Sequence, residues 1–285
     1  MENIQSNNVN ASNVKLNSPK QNGSCSKLMT MLKVDFQRLF ISRTFYIMLA
    51  IAFVMPILIL VMTTMMDGTV SVNPQTGKET IIEGFDNVWQ IIGTVASSSS
   101  ADAQQMSMGL TAMCNINLVF FAVAVFICMF VADDFRSGYS KNLFTVRAKK
   151  SDYVISKTVV SFVVGALMLV LFFIGSMIGG KISGLPFSLD GVNASNVVMC
   201  MLSKIFLMLA IAPIYLVASV FAKQRLWLSI LLSLAGGALL FMMIPLITPL
   251  SATILNVILC LVGGALFSIG LGFASKTILS KIDLL

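Results

Sequence analysis

"FVADDFRSGYSKNLFTVRAKKSDYVISK", Phe130–Lys157, interrupts an otherwise apolar part of the chain with six basic and three acidic side chains. The residues before it, Ile116 through Met129, are almost wholly apolar, and so is the run that follows it. A polar elbow between two greasy segments is what a chain shows when it leaves a membrane and re-enters it. The composition agrees. Of 285 residues, 57% are hydrophobic and only 11% are charged, with a mean hydropathy of +0.90. A soluble domain carries about 25% charged residues, so the apolar excess here must face lipid.

Working outward from the elbow, six apolar runs are long enough to span. They lie at Phe45–Met62, near Met108–Ala132, near Tyr153–Gly179, at about Ile205–Ala222, at Leu226–Ile247 and at Thr253–Ala274. The first, at about 1.5 Å per residue, reaches roughly 27 Å, close to the thickness of a bilayer core. Pro56, Pro213 and Pro245 fall inside spans, where neighbouring helices can satisfy the freed carbonyls. The predicted fold is an all-α membrane protein with six transmembrane helices, preceded by an amphipathic N-terminal interfacial helix. In that first helix Leu28, Leu32, Phe36, Leu39 and Phe40 recur at helical spacing, with Lys27, Lys33 and Arg38 mainly on the other side. Residues 1–25, rich in Asn and Ser, read as a disordered cytoplasmic tail. Residues 26–285 read as one six-helix transmembrane domain, with an outer loop at 63–105 and a cytoplasmic loop at 133–152.

The charge distribution orients the chain. With both termini in the cytoplasm, all but Lys78, Lys181 and Lys204 of the 19 basic residues fall on the inner side. The formal net charge of +7 is then a topological signal, and no nucleic-acid partner is needed to explain it. Lys204 stands at a span end, where its stem can snorkel. In the outer loop Ile81, Ile82, Phe85, Val88, Trp89 and Ile92 have helical spacing and predict an interfacial helix anchored by Trp89.

Several chemistries are excluded or unsupported. There is no histidine, so no His-dependent triad, metal site or proton shuttle exists in this chain. The five cysteines (Cys25, Cys114, Cys128, Cys200 and Cys260) have no CxxC spacing and read as small packing residues. "NPQTGKET", Asn73–Thr80, lacks the leading glycine and the Ser/Thr after lysine that a phosphate loop needs. No Asp or Glu falls within a predicted span to carry a coupling ion. Asn115, Asn117 and Asn256 at depth read as contacts between helices. The stripes Ser229, Ser233, Gly237 and Gly264, Ser268, Gly272 read as packing within the subunit, with a subunit interface as the sharper alternative.

The energy must then come from outside the chain, or the protein is passive. Phe135, Tyr139, Leu143 and Val146 fall on one face of a short helix, flanked by Arg136, Lys141 and Arg147. Gly138 in its middle costs about 1 kcal/mol, tolerable if a partner packs there. Ser151 or Asp152 is placed to cap the next span, which Tyr153 opens at the interface. Such a face suits docking of a protein, and equally a basic loop held on anionic headgroups.

The segment "DDFRSGYSKNLF", followed by a basic linker and "YVISK", resembles the type-2 permeases of ATP-binding-cassette exporters. Their coupling element has a carboxylate–aromatic–Arg–x–Gly motif and then Lys–Asn–Leu, matched here by Asp134, Phe135, Arg136 and Gly138 and by Lys141, Asn142 and Leu143. Asp134 stands where the family commonly has Glu, and "TVRAKKSD" replaces the usual linker. The resemblance implies an ATPase-coupling contact made by Asp134, Phe135, Arg136, Gly138, Tyr139, Lys141, Asn142, Leu143 and Arg147. It implies no catalytic residue, metal or cofactor in this chain, with ATP and Mg bound by a cytoplasmic ATPase dimer. It further implies a second permease subunit, identical or homologous, a bacterial cytoplasmic membrane location, and export of a peptide, drug or lipid-like substrate. The competing readings are a membrane scaffold or sensor that recruits a regulatory protein, and an ion-coupled or passive carrier.

Overall fold

The computed structural model of the chain describes residues 24–72, 79–81, 84–93, 114–145, 149–189, 193–223, 225–241 and 243–281. Residues 1–23 of the tail expected to be disordered thus lie outside the described residues, whereas Ser24 and Cys25, expected to belong to it, already form the start of a helix. Helix α1 (Ser24–Ile41) leads through Ser42 into α2 (Arg43–Met66). A small antiparallel ribbon of β1 (Val70–Val72) and β2 (Glu79–Ile81) follows, with Ser71 opposite Thr80. Next come α3 (Leu118–Arg136), the short α4 (Tyr139–Thr145), α5 (Lys150–Ser183) and α6 (Ala194–Ala222). The chain closes with α7 (Leu226–Phe241), the single-turn α8 (Ile244–Ile247) and α9 (Ile254–Lys281). Apart from the ribbon, the regular structure among the described residues is helical.

Among the described residues, five helices are long and apolar enough to cross a membrane: α2, α3, α5, α6 and α9. The expected fifth span, Leu226–Ile247, is broken into α7 and α8. Pro245 is the physical reason. It has no N–H to give the carbonyl one turn back, and its ring crowds that carbonyl, so α7 stops at Phe241 and a new turn starts with proline near its N-terminus. At 16 residues α7 extends about 24 Å, short of a bilayer core of about 30 Å.

The bundle is organised around α5 and α6. Helix α5 contacts α1, α2, α3, α6 and α9, and α6 contacts α3, α5, α7 and α9. Helix α3 is the most buried of the five long helices and α9 the least. The α2–α5 contact is set by missing side chains. A Cβ at Gly175 would collide with the Phe53 carbonyl and with Pro56 Cγ at 2.8 Å, and one at Gly179 would sit 2.9 Å from Ile57 Cα. Helix backbones approach this closely only over small residues. The Ser229, Ser233 and Gly237 stripe is buried inside the subunit, and Ser268 Oγ donates to the Leu209 carbonyl across the α9–α6 contact. The first stripe therefore packs within the chain, as do Gly264 and Ser268 of the second, while Gly272 stays open to the surface.

The loop after α2 departs from expectation. Instead of an interfacial helix from Ile81 to Ile92, β2 ends at Ile81 and a single 3₁₀ turn forms at Val88–Ile91; Ile82 lies outside the described residues. The side chain of Asn87 accepts from Trp89 N and Gln90 N, capping the turn. Val88, Ile91 and Ile92 are fully buried, and Trp89 Nε1 donates to the Phe187 carbonyl at 3.2 Å. The helical spacing of these residues reports docking into the bundle rather than a helix lying on it.

Candidate functional site: an ionic knot beneath the α3–α4–α5 elbow

The single short helix expected to carry Phe135, Tyr139 and Leu143 is divided between the end of α3 and α4. Ser137 closes α3 by donating both its N and Oγ to the Asp133 carbonyl. Gly138 then takes φ +70°, a left-handed conformation that L side chains resist, and α4 begins at Tyr139. Gly138 thus ends a helix instead of weakening one, and Phe135 and Tyr139 do not share a continuous helical face. Lys149 occupies the N-cap position of α5 without a side-chain cap bond, while Ser151 and Asp152 lie in the first turn. An acid there still favours the helix N-terminus.

Under this elbow lies a cluster the sequence did not announce. Asp134 is fully buried: its Oδ1 accepts from Arg38 at 2.7 Å, and its Oδ2 accepts from the Tyr153 hydroxyl at 3.0 Å and pairs with Lys157 Nζ at 2.7 Å. Asp35 of α1 is also fully buried. Its Oδ1 accepts from Lys157 Nζ at 2.9 Å, its Oδ2 accepts from Ser156 Oγ at 2.6 Å, and Arg38 stands 4.0 Å away. Two carboxylates and two cations balance formally, and every carboxylate oxygen has a donor. Aromatic faces complete the shell: Arg38 Cζ lies 4.1 Å from the Tyr139 ring centroid, and Lys157 Nζ 4.0 Å from that of Phe130. The cluster joins α1, α3, α4 and α5.

Its electrostatics are self-consistent where they lie outside the spans. Burial, the largest single influence, pulls the Arg38 guanidinium down, but Asp134, Tyr139 and Asp35 outweigh it and the net direction is up. Burial pushes the Tyr139 phenol up, aided by Asp35 and Asp134 and opposed by Arg38, so it stays protonated as a neutral ring beneath the guanidinium.

The structure distributes the expected contact residues unevenly. Asp134 and Phe135 are buried, Gly138, Tyr139 and Leu143 are half-buried, and Arg136, Lys141 and Asn142 are exposed. Val146 and Arg147 lie outside the described residues. Tyr153, expected at the interface, is fully buried against Asp134. Asp35, Arg38, Ser156 and Lys157 were missed as a group. One signal was available: Met31, Asp35 and Leu39 form the buried stripe of α1, so an acid sits on an apolar face.

A second polar site lies toward the opposite ends of these helices. Lys204 does not snorkel. It is fully buried, and its Nζ donates to Asn117 Oδ1 at 3.0 Å and Thr248 Oγ1 at 2.9 Å. It joins α6 to the N-terminal end of α3 and to the turn after α8. Asn117 and Asn256 do serve as helix contacts, Asn256 Nδ2 donating to the Ile247 carbonyl. Among the described residues, no group of His, Cys, Asp and Glu is arranged to hold a metal.

Five long apolar helices point to a multi-pass membrane protein, and a charge-locked polar elbow ties its helices together. The sequence matches the ABC-2 family transporter protein family over residues 31–240, and the chain belongs to that family. It is a transmembrane component of an ABC transporter, and its family associates with an ABC ATPase. No curated protein and no solved structure matches it.

Proposed function

We propose that this chain is the permease subunit of an ATP-driven exporter in a bacterial cytoplasmic membrane, with six spans, both termini inside and α1 lying along the inner interface. Helix α7, continued by α8 after the Pro245 break, supplies the sixth span. A cytoplasmic ATPase dimer, holding ATP and Mg, pushes on the elbow, and a second permease subunit completes the path for a peptide, drug or lipid-like cargo. The observation that carries this reading is the ionic knot of Asp35, Arg38, Asp134 and Lys157. Force applied at α4 reaches the spans only if the elbow is fixed to them, and buried charge pairs joining α1, α3 and α5 fix it. The exposed side chains of Arg136, Lys141 and Asn142 supply the contact surface, and Asp134 and Phe135 anchor it from within.

The test uses the complex reconstituted in vesicles with its ATPase. Charge reversal at both Arg136 and Lys141 is expected to uncouple ATP hydrolysis from cargo movement at least tenfold, with membrane insertion unchanged. Transport per ATP at the wild-type ratio in that variant would remove the elbow from the coupling path.

A further inference from the structure

Between α5 and α9 an apolar groove of about 490 Å³ runs over the surface of the bundle, floored by Leu209 of α6. Its walls are Ile155 and Val159 on one side and Ile269 and Phe273 on the other, and Lys276 stands at its mouth. From Lys276 to Ala265 it follows α9 for about 16 Å at the α-helical rise. That is half of a hydrocarbon core of about 30 Å, the depth of one leaflet. Its lining is largely apolar over that length, which suits a hydrocarbon chain.

The mouth is cationic. Lys276 is exposed there, and the last turn of α9 adds Lys281. Lys150 Nζ donates to the Leu279 carbonyl, holding the start of α5 against the end of α9. Asp152, the acid in the first turn of α5, does not line the groove. A hydrophobic slot one leaflet deep, ending at an exposed ammonium, complements a lipid with an acyl chain and a negative headgroup. We infer that the α5–α9 groove is a binding site for one anionic phospholipid, with an acyl chain between Ile155 and Phe273 and its phosphate on Lys276.

The test is titration of the purified full-length protein with phosphatidylglycerol and phosphatidylcholine, the bound lipid counted by native mass spectrometry. The wild type is expected to bind the anionic lipid at least fivefold better, the factor one basic residue supplies near a surface. K276E is expected to lose that preference while keeping acyl-chain binding. G272L should block both lipids: a Cβ at Gly272 meets only Val154 Cγ1, at 3.9 Å, so the longer side chain is accommodated and projects into the groove. I155W fills the slot from the opposite wall and should do the same. Equal binding of the two lipids by the wild type, or unchanged binding in both filling variants, overturns the proposal. So does a G272C variant that cross-links to a second copy of the chain, which would make the groove a protein interface.

Discussion

Replacing Lys157 with methionine is the sharpest test of the ionic knot. The side chain has similar length, so packing is largely kept while the charge is removed. Lys157 Nζ contacts two buried carboxylates, Asp134 Oδ2 at 2.7 Å and Asp35 Oδ1 at 2.9 Å. Each contact has a Coulomb energy of about 6 kcal/mol at an effective dielectric constant of about 20. Desolvation of three buried charges offsets most of this. Breaking a buried pair from one side costs about 3–5 kcal/mol, because the partner is left buried and uncompensated. For Lys157→Met that partner is chiefly Asp35, since Asp134 keeps Arg38 at 2.7 Å whereas Asp35 has Arg38 only at 4.0 Å. At about 2–4 °C per kcal/mol the unfolding midpoint should fall by roughly 10 °C.

The decisive measurement is the double variant. Adding Asp35→Asn restores formal neutrality and leaves Arg38 paired with Asp134. The double variant should therefore recover about half of the loss, about 2 kcal/mol, and be more stable than the two single losses added together predict. The assay is thermal unfolding of the purified full chain in detergent, followed as the monodisperse fraction surviving at each temperature. If the losses from Lys157→Met and Asp35→Asn simply add, to within about 0.5 kcal/mol, the two residues are not energetically joined and the knot is not a unit.

Gly175→Leu should separate α2 from α5, because its first side-chain atom already collides with the Phe53 carbonyl backbone; a loss of about 2 kcal/mol or more is expected, read as a lower midpoint in the same melt. Gly272→Leu serves as the control, since its surroundings are open. Lys204 has no carboxylate within salt-bridge distance among the described residues, so Lys204→Met should leave the midpoint unchanged or raise it. Asn117→Leu, which strips an acceptor from that buried ammonium, should cost about 1–3 kcal/mol in the same measurement.

How much of this was legible in the sequence depends on the range of the interaction. The apolar runs and the elbow at Phe130–Lys157 were visible because hydropathy over one segment decides them. The internal small-residue stripes were visible for the same reason. Gly138 was misread because sequence shows only that glycine is tolerated in a helix, whereas φ +70° depends on where α3 must stop. The Ile81–Ile92 segment was misread because six apolar residues at helical spacing fit any docked irregular segment. Asn87 and the Gly84 N–H donated to Asp67 set the local path instead. The knot itself was out of reach: Lys157 and Asp35 are 122 positions apart, and sequence alone cannot pair them.

The placement of that knot has a consequence for mechanism. Helix α5 has 34 residues and extends about 51 Å, some 20 Å more than a bilayer core, so its first turns project beyond the hydrocarbon. The ionic cluster sits on those turns, at Tyr153, Ser156 and Lys157. A purely apolar contact there would hold α1 and α3 on α5 by interdigitation alone, with no directional register between named polar atoms. Charge pairs at 2.7–2.9 Å do have one: moving α3 by a single helical turn, about 5.4 Å, would leave Asp134 without its donors. Displacement of α4 is therefore passed to α5 as motion of a rigid corner. Near the other end of the bundle the neutral contacts of Lys204 hold the start of α3 and the end of α8 with less penalty for release. With a firm ionic fixture at the elbow and weaker hydrogen bonds at the far end, the helices are easier to separate at the far end.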